Sequence, residues 1–206
     1  MTSVAELRAH IRASGREQLR ELALDAARDV AINRGWSAVR MGALAAAIGT
    51  SRQTLHTEFG TKDELGKALV MREVSAFFDG VTAQLASHPG DLGAAVSSAV
   101  IFTLTSAAEN PMLQTILTGG AGGDDSLLPL LTTRGEAVLA GAVDLFADWV
   151  ARQWPDRDDE AARVMVESVA RLLISHVLLA SGTPQQAAQD LARVACRCMG
   201  FPDRQL

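Results

Sequence analysis

Residues 40–62 read RMGALAAAIGTSRQTLHTEFGTK, and this stretch carries the most informative pattern in the chain. Its first half carries a short apolar stripe at helical spacing, made of Met41, Leu44, Ala45 and Ile48. Gly49 then supplies the residue type that commonly ends a helix in a left-handed conformation, and Ser51 is a favoured N-cap for a second helix. We therefore predict two short helices joined by a tight turn, a helix-turn-helix over about 40–59.

The second of these helices keeps only Leu55 and Phe59 for packing. Its remaining side chains are mostly hydrogen-bond donors, as an insertion into a DNA major groove requires: Arg52, Gln53, Thr54, His56 and Thr57. An ordinary surface helix with its polar residues outward is the alternative, because helix-turn-helix patterns are degenerate. Gly60 ends the helix, and Thr61 with Glu64 has the spacing of a capping box for the next one.

Helical periodicity extends over the rest of the chain, and no segment alternates as a half-buried strand does. One amphipathic helix ends near Gly35, and a long helix follows Thr61 until His88-Pro89-Gly90. Further helices are predicted at roughly 91–109, 111–118, 127–154, 158–181 and 184–199, with boundaries good to about 2–4 residues. The predicted fold class is all-α, with about nine helices.

Composition excludes several classes of protein. With 48% hydrophobic and 21% charged residues among 206, the chain is not intrinsically disordered. No apolar run is expected to reach the ~18–20 uncharged residues of a membrane span, and the charged N-terminus is unlike an export signal. The two cysteines, Cys196 and Cys198, lie too close along a helix to bond each other. We therefore expect a reducing, cytoplasmic location and no membrane association.

Charge is distributed unevenly along the chain. Residues 1–75 hold eleven basic and nine acidic side chains, whereas residues 76–206 hold eight and fifteen. A basic head on an acidic body favours an anionic partner for the head alone. Within the head, arginines recur every four residues at Arg8, Arg12, Arg16 and Arg20. They form either a basic arm that contacts phosphates or the minor groove, or a solvated helix face.

An ordered set of residues resembles the N-terminal domain of the TetR family of bacterial transcriptional repressors. The set covers roughly residues 16–75 and comprises Gly35-Trp36, Leu44-Ala45, Gly49, Ser51, Thr54-Leu55, Phe59, Lys62-Asp63 and Leu65. The resemblance implies a helix-turn-helix DNA-binding domain over 12–75 and a helical ligand-binding and dimerisation domain over 76–206. It also implies a homodimer that binds a pseudo-palindromic double-stranded DNA operator and responds to a small hydrophobic effector, without a cofactor or a metal.

We expect the DNA contacts to come from the arm and the helix-turn-helix. The candidates are Arg12, Arg16, Arg40, Ser51, Arg52, Gln53, Thr54, His56, Thr57 and Lys62. Five residues depart from the family pattern: Arg40, Thr50, Gln53, His56 and Glu58. Among them, His56 replaces a tyrosine and Glu58 replaces a histidine or tyrosine. Glu58 would repel phosphates if it faced DNA. It could instead pair with Arg52 or Lys62, or accept a hydrogen bond from a cytosine amine.

The second domain offers candidates for an effector pocket and for an interface. Large apolar residues could line the pocket or simply fill the core: Phe77, Phe78, Val81, Phe102, Met112, Ile116, Phe146, Trp149 and Met165. An aromatic content of only 4% favours an alkyl or fatty-acyl chain over a flat aromatic ligand. Small and apolar positions on the last two helices are candidates for the dimer interface: Leu172, His176, Ala188, Leu191 and Ala195.

No motif indicates catalysis. The glycine-rich segment 119–123 lacks the Lys-Ser/Thr ending and the preceding strand of a phosphate loop, so we interpret it as a linker. The acidic residues of 156–160 lie at a helix start, where carboxylates act as caps more often than as metal ligands. The competing hypothesis is a helical lipid carrier, or an enzyme, whose N-terminal helices do not bind DNA. Salt-dependent DNA affinity distinguishes the two hypotheses.

Overall fold

The structure, a computed structural model, describes residues 4–113, 135–157, 159–179 and 182–201. Within these ranges the chain forms α-helices, one 3-10 turn at Trp36–Ala38 and no strand, so the all-α prediction is confirmed. The helices are α1 (Val4–Arg34), α2 (Met41–Ala47), α3 (Arg52–Phe59), α4 (Lys62–Ala86), α5 (Leu92–Glu109), α6 (Gly135–Gln153), α7 (Asp159–Leu178) and α8 (Pro184–Cys198). The predicted helix at 111–118 is described only over 111–113, which are helical, and segment 119–123 lies outside the described residues.

The described chain divides into two compact units, with the boundary inside α4 between Arg72 and Glu73. The first unit buries one side of each of its helices around a small aliphatic core. Its buried side chains are Ala23, Leu24, Ala27, Trp36, Val39, Met41, Leu44, Ala45, Leu55, Phe59, Leu65, Leu69 and Val70. Alanines on α1 and α2 let these helices approach closely, which suits a domain with few large side chains.

The helix-turn-helix forms as the sequence predicts. Gly49 has a positive φ of 72°, and the Thr50 amide donates to the Ala45 carbonyl at 2.9 Å to close α2. Ser51 then caps α3, because its hydroxyl accepts from the Thr54 amide at 3.0 Å. Gly49 and Ser51 therefore fix the path of the chain between the two helices.

The capping box at the start of α4 is also present. The Thr61 amide donates to the Glu64 carboxylate at 2.7 Å, and the Glu64 amide donates to the Thr61 hydroxyl at 3.2 Å. The Thr61 hydroxyl also donates to the Glu64 carboxylate, at 3.1 Å. The amide and the hydroxyl of Thr61 both stabilise the ionised form and so lower the pKa of Glu64 below its usual value.

In the second unit α5 packs mainly against α8 and also contacts α7, while α6 packs on α7. α5 is long and apolar enough to cross a membrane, contrary to the expectation that no run of that length exists. The apolar composition of α5 has another cause, because Leu92, Val96 and Val100 are buried in the core that α5 shares with α6, α7 and α8. The helix is therefore apolar because it lies at the centre of this unit.

Candidate DNA-binding surface and apolar cavity

The recognition helix α3 has one buried side and one exposed side. Leu55 and Phe59 are buried, with 0% and 6% of their surface exposed. The five predicted contact residues of α3 are all exposed: Arg52, Gln53, Thr54, His56 and Thr57. The Thr57 hydroxyl is used within the helix, where it donates to the Gln53 carbonyl at 2.9 Å.

Arg52, Gln53 and His56 retain their full hydrogen-bonding capacity. None of the three side chains makes a hydrogen bond or an ion pair with any other described residue. Ser51 is exposed too, but its hydroxyl is engaged by the Thr54 amide and lies 2.8 Å from the Thr54 hydroxyl. The exposed side of α3 therefore presents a guanidinium, an amide and an imidazole to a partner outside the chain.

Glu58 does not belong to this exposed side. Its side chain is only 8% exposed and accepts from Arg16 Nε at 2.5 Å and from Arg20 Nη1 at 3.3 Å. Arg20 also lies over the Phe59 ring, 5.0 Å from its centroid. Of the alternatives that the sequence left open, neither Arg52 nor Lys62 is the partner of Glu58, because the carboxylate turns inward toward α1. Glu58, Arg16 and Arg20 thus hold α3 against α1 through charge-assisted hydrogen bonds.

Arg16 therefore has a role that spacing along the sequence did not reveal. Its side chain is 68% exposed, so it remains accessible while it pairs with Glu58. The even spacing of the arginines is explained by a helix, since α1 begins at Val4 and contains all four of them. Arg12 lies in this helix, but its side chain is outside the described residues.

Lys62 and Arg40 lie beside the 3-10 turn. The Lys62 ammonium donates to the Trp36 carbonyl at 2.8 Å and lies 5.2 Å from the centroid of the Trp36 ring. Partial burial lowers the pKa of Lys62, and the nearby Arg40 guanidinium lowers it further. Arg40 donates to the carbonyls of Ser37 and Val39. One Lys62 donor is thus used inside the chain, which leaves two for a phosphate.

The second unit contains a cavity bounded by four helices, α4 to α7. Its empty space is about 760 Å³ when the part open to solvent is counted. Eighteen of the described residues line it; seventeen of them are apolar, and the exception is Thr103. The lining is Phe77, Phe78, Val81, Leu85, Val96, Ala99, Val100, Thr103, Val138, Leu139, Ala142, Leu145, Phe146, Val169, Ala170, Leu173, Ile174 and Val177.

Four of the predicted pocket residues line this cavity: Phe77, Phe78, Val81 and Phe146. Four others do not, and they are Phe102, Met112, Trp149 and Met165; Ile116 lies outside the described residues. Met112, Trp149 and Met165 are buried away from the cavity.

Phe102 stacks on Phe77 with 6.1 Å between ring centroids, and a Cβ on Gly80 would lie 2.2 Å from its ring. The glycine therefore makes room for Phe102 on the surface of α4.

The missed lining residues are mainly small or branched side chains on α6 and α7. Val138, Ala142 and Leu145 recur at helical spacing, as do Val169, Leu173 and Val177. The sequence shows these stripes, but the pocket residues were selected as large side chains, and that criterion excluded the small and branched residues of α6 and α7. Periodicity identifies a buried face and does not say whether that face meets a cavity or a neighbouring helix.

The candidate interface residues fall into two groups. Leu172 is 42% exposed and His176 is partly exposed, so both are accessible on α7. Ala188, Leu191 and Ala195 are at most 2% exposed, because the face of α8 that carries them packs into the core against α5. These three offer no surface to a second chain, and their assignment to an interface was wrong.

The acidic residues of 156–160 form no metal site in the part of the chain that is described. Glu160 pairs with Arg163 at 2.8 Å, and Asp158 is outside the described residues. No group of three or more His, Cys, Asp or Glu side chains in the described ranges could hold a metal ion.

Comparisons with known proteins agree with this arrangement. Residues 23–69 match the family model of bacterial regulatory proteins of the tetR family, and residues 91–197 match the C-terminal domain model of the bacterial tetracyclin repressor. The chain is 32% identical over 181 residues to the HTH-type transcriptional regulator AlkX of Mycobacterium tuberculosis (strain ATCC 25618 / H37Rv). That match covers 88% of this chain and 85% of the relative.

Solved structures give the same result. The crystal structure of the TetR family repressor AlkX from Dietzia sp. strain DQ12-45-1b, implicated in biodegradation of n-alkanes, has a TM-score of 0.62 and 27% identity. The match covers 88% of this chain and 96% of that one. FadR from Bacillus halodurans shares the fold at a TM-score of 0.56 and 15% identity, over 85% of this chain and 93% of that one. The chain therefore belongs to the TetR family of DNA-binding transcriptional regulators.

Proposed function

We propose that this chain is a homodimeric cytoplasmic repressor that releases a pseudo-palindromic operator when a long-chain apolar effector enters the cavity of its second unit. The observation that carries the proposal is the lining of that cavity, in which seventeen of eighteen residues are apolar and none is charged. Such a site binds by burial of apolar surface, at about 0.8 kcal/mol per methylene.

The DNA contacts in this proposal come from the exposed side of α3. Arg52, Gln53 and His56 have no partner among the described residues, so they can form hydrogen bonds with base edges in a major groove. Arg12, Arg40, Ser51, Thr54, Thr57 and Lys62 are the candidates for the surrounding phosphate and sugar contacts. Arg16 acts mainly through its ion pair with Glu58.

An alkyl chain is the effector class that the cavity favours. The described residues of its walls include no guanidinium, ammonium or carboxylate that could neutralise a charged ligand. The similarity to AlkX from Dietzia sp., a repressor implicated in biodegradation of n-alkanes, supports the same class. α4 supplies residues to both units, since it begins at Lys62 and carries Phe77, Phe78 and Val81 in the cavity wall.

Release of DNA requires that effector and operator favour different conformations of the dimer. An effector that moves the α4 side chains in the cavity acts on the helix that also follows the helix-turn-helix. Two-fold symmetry fixes the spacing of the two recognition helices, so a change in that spacing weakens both half-site contacts together.

The dimer surface in this proposal lies on α7. Val164 and Leu172 are 44% and 42% exposed, and their spacing of eight residues places them on one side of the helix. Leu179, which is 75% exposed, directly follows the end of α7. Exposed apolar side chains in a row on one helix suit a self-complementary two-fold contact.

The experiment is a fluorescence-anisotropy titration of the purified protein with labelled DNA from upstream of its own gene, at 50 and 200 mM salt. We expect affinity to fall steeply with salt. Gln53→Ala should cost about 1–3 kcal/mol on this DNA and little on unrelated DNA. Added alcohols of increasing chain length should release the DNA at progressively lower concentration. Equal affinity for the upstream DNA and for unrelated DNA would contradict the proposal. Release that does not depend on the chain length of the alcohol would contradict it as well.

A further inference from the structure

Thr103 stands out within the cavity lining. It is the single polar residue among the described residues that line the cavity, and only 4% of its surface is exposed. Its hydroxyl makes no hydrogen bond with any described residue. Among the described residues only Trp149 Nε1 is a fully buried side-chain polar atom without a partner, so the Thr103 hydroxyl keeps some accessible surface. Because Thr103 lines the cavity, this hydroxyl is a natural position for a ligand contact.

Two other helical threonines use their hydroxyls inside the helix, unlike Thr103 and its exposed neighbour Thr105. The Thr82 hydroxyl donates to the Phe78 carbonyl at 2.8 Å, and the Thr57 hydroxyl donates to the Gln53 carbonyl at 2.9 Å. A helical threonine normally satisfies itself in this way, one turn back. Thr103 on α5 does not, so its hydroxyl stays available to the interior of the cavity.

The same lining decides which head group a chain-like ligand can carry. An ionised carboxylate, phosphate or ammonium group would have to leave water without any opposite charge among the lining residues, at a cost of many kcal/mol. A neutral oxygen needs only one hydrogen-bond partner. A threonine hydroxyl can either donate or accept that bond.

We propose that the effector is a neutral long-chain molecule with one hydroxyl or carbonyl oxygen, which hydrogen-bonds to Thr103 while its chain lies against the apolar walls. This inference rests on the proposed function and goes further by assigning the head group and its anchor. A primary alcohol or an aldehyde fits the site, whereas a free fatty-acid anion does not.

The test measures binding of 1-octanol, n-octane and octanoate at pH 8 by tryptophan fluorescence. Trp149 suits this readout, because its ring centroid lies 6.1 Å from that of Phe146 in the cavity wall. Thr103→Val removes the hydroxyl and keeps the side-chain shape. We expect it to weaken 1-octanol about five- to tenfold, the value of one hydrogen bond, and to leave n-octane unchanged.

Two further variants control for packing and for position. Thr103→Ser keeps the hydroxyl and should bind 1-octanol as the natural protein does. Thr105→Val makes the same change on the exposed side of α5 and should alter neither ligand. Octanoate should bind at least tenfold more weakly than 1-octanol in every variant.

The outcomes separate this inference from the proposed function. If Thr103→Val weakens 1-octanol and n-octane equally, Thr103 acts only by packing and the anchor is excluded. If octanoate binds as tightly as 1-octanol at pH 8, the neutral head group is excluded while the chain-binding cavity stands. If none of the three probes binds, the proposed function fails, and this inference fails with it.

Discussion

At the scale of single residues, Glu58 is the position where this chain differs most from a plain helix-turn-helix surface. A carboxylate on a recognition helix repels phosphates if it is exposed, yet this one is 8% exposed and held by Arg16 and Arg20. The ion pairs remove the negative charge from the exposed side of α3 and brace the helix against α1.

Glu58→Gln should therefore lower the free energy of unfolding by about 1–2 kcal/mol, because two charge-assisted hydrogen bonds become weaker. It should also raise affinity for unrelated DNA, since two arginines lose their counter-charge, and so reduce the preference for the operator. Urea unfolding and anisotropy on both DNAs measure these effects. Glu17→Gln is the matched control on the exposed surface of α1 and should change little. Identical behaviour of the two variants would contradict the bracing role.

Glu64 makes a prediction about pH. Its pKa lies below the usual value of 4.5, so the capping box stabilises the fold above that pH and the contribution is lost as pH falls through the folded-state pKa. Glu64→Gln cannot ionise, so its unfolding free energy should depend less on pH between 3 and 5 than that of the natural protein. Denaturant unfolding across this range tests the point, and parallel profiles would refute it.

At the scale of elements, the turn between α2 and α3 depends on a backbone conformation that L side chains rarely adopt. Gly49 has φ +72° and nothing within 4 Å of an added Cβ, so Gly49→Ala introduces strain without a clash. We expect a loss of about 1–2 kcal/mol in the free energy of unfolding. Gly15→Ala, in the open middle of α1, should instead gain about 0.5–1 kcal/mol. Thermal unfolding of both variants would reveal whether the signs differ as expected.

The elements themselves could be predicted because their signals are local. The apolar stripes, Gly49, Ser51 and the Thr61–Glu64 pair determine where α2, α3 and α4 begin and end. Each of these signals lies within a few residues of the helix end that it sets. The partners of an element are not local. Glu58 meets Arg16 from 42 residues earlier, a contact that no spacing rule specifies.

The same limit explains the errors in the second unit. The small apolar face of α8 fits either α5 of its own chain or a second copy, and only the folded structure shows that α5 covers it. Phe102 has the spacing expected of a lining residue, yet its ring lies against α4 at Gly80, where no side chain occupies the space. Sequence periodicity thus predicted which faces are buried, but not which surface each one meets.

At the scale of the whole molecule, the proposed dimer makes a prediction about assembly. Leu172→Glu places a charge in the exposed apolar row of α7, and we expect it to shift the protein toward monomer and to weaken operator binding. Leu22→Glu is a matched control, because Leu22 is 54% exposed on α1. Sedimentation velocity at micromolar concentration distinguishes the two variants. A natural protein that sediments as a monomer, or a dimer unaffected by Leu172→Glu, would exclude α7 as the interface.

The central claim is that filling the apolar cavity releases DNA. Ala142→Phe places a ring inside the cavity, and Ala140→Phe makes the same change on the exposed side of α6. The decisive measurement is operator anisotropy for both variants as a long-chain alcohol is added. We expect Ala140→Phe to release the operator as the natural protein does, whereas Ala142→Phe should no longer respond to the alcohol. Release of the operator from both variants at the same alcohol concentration would contradict the claim.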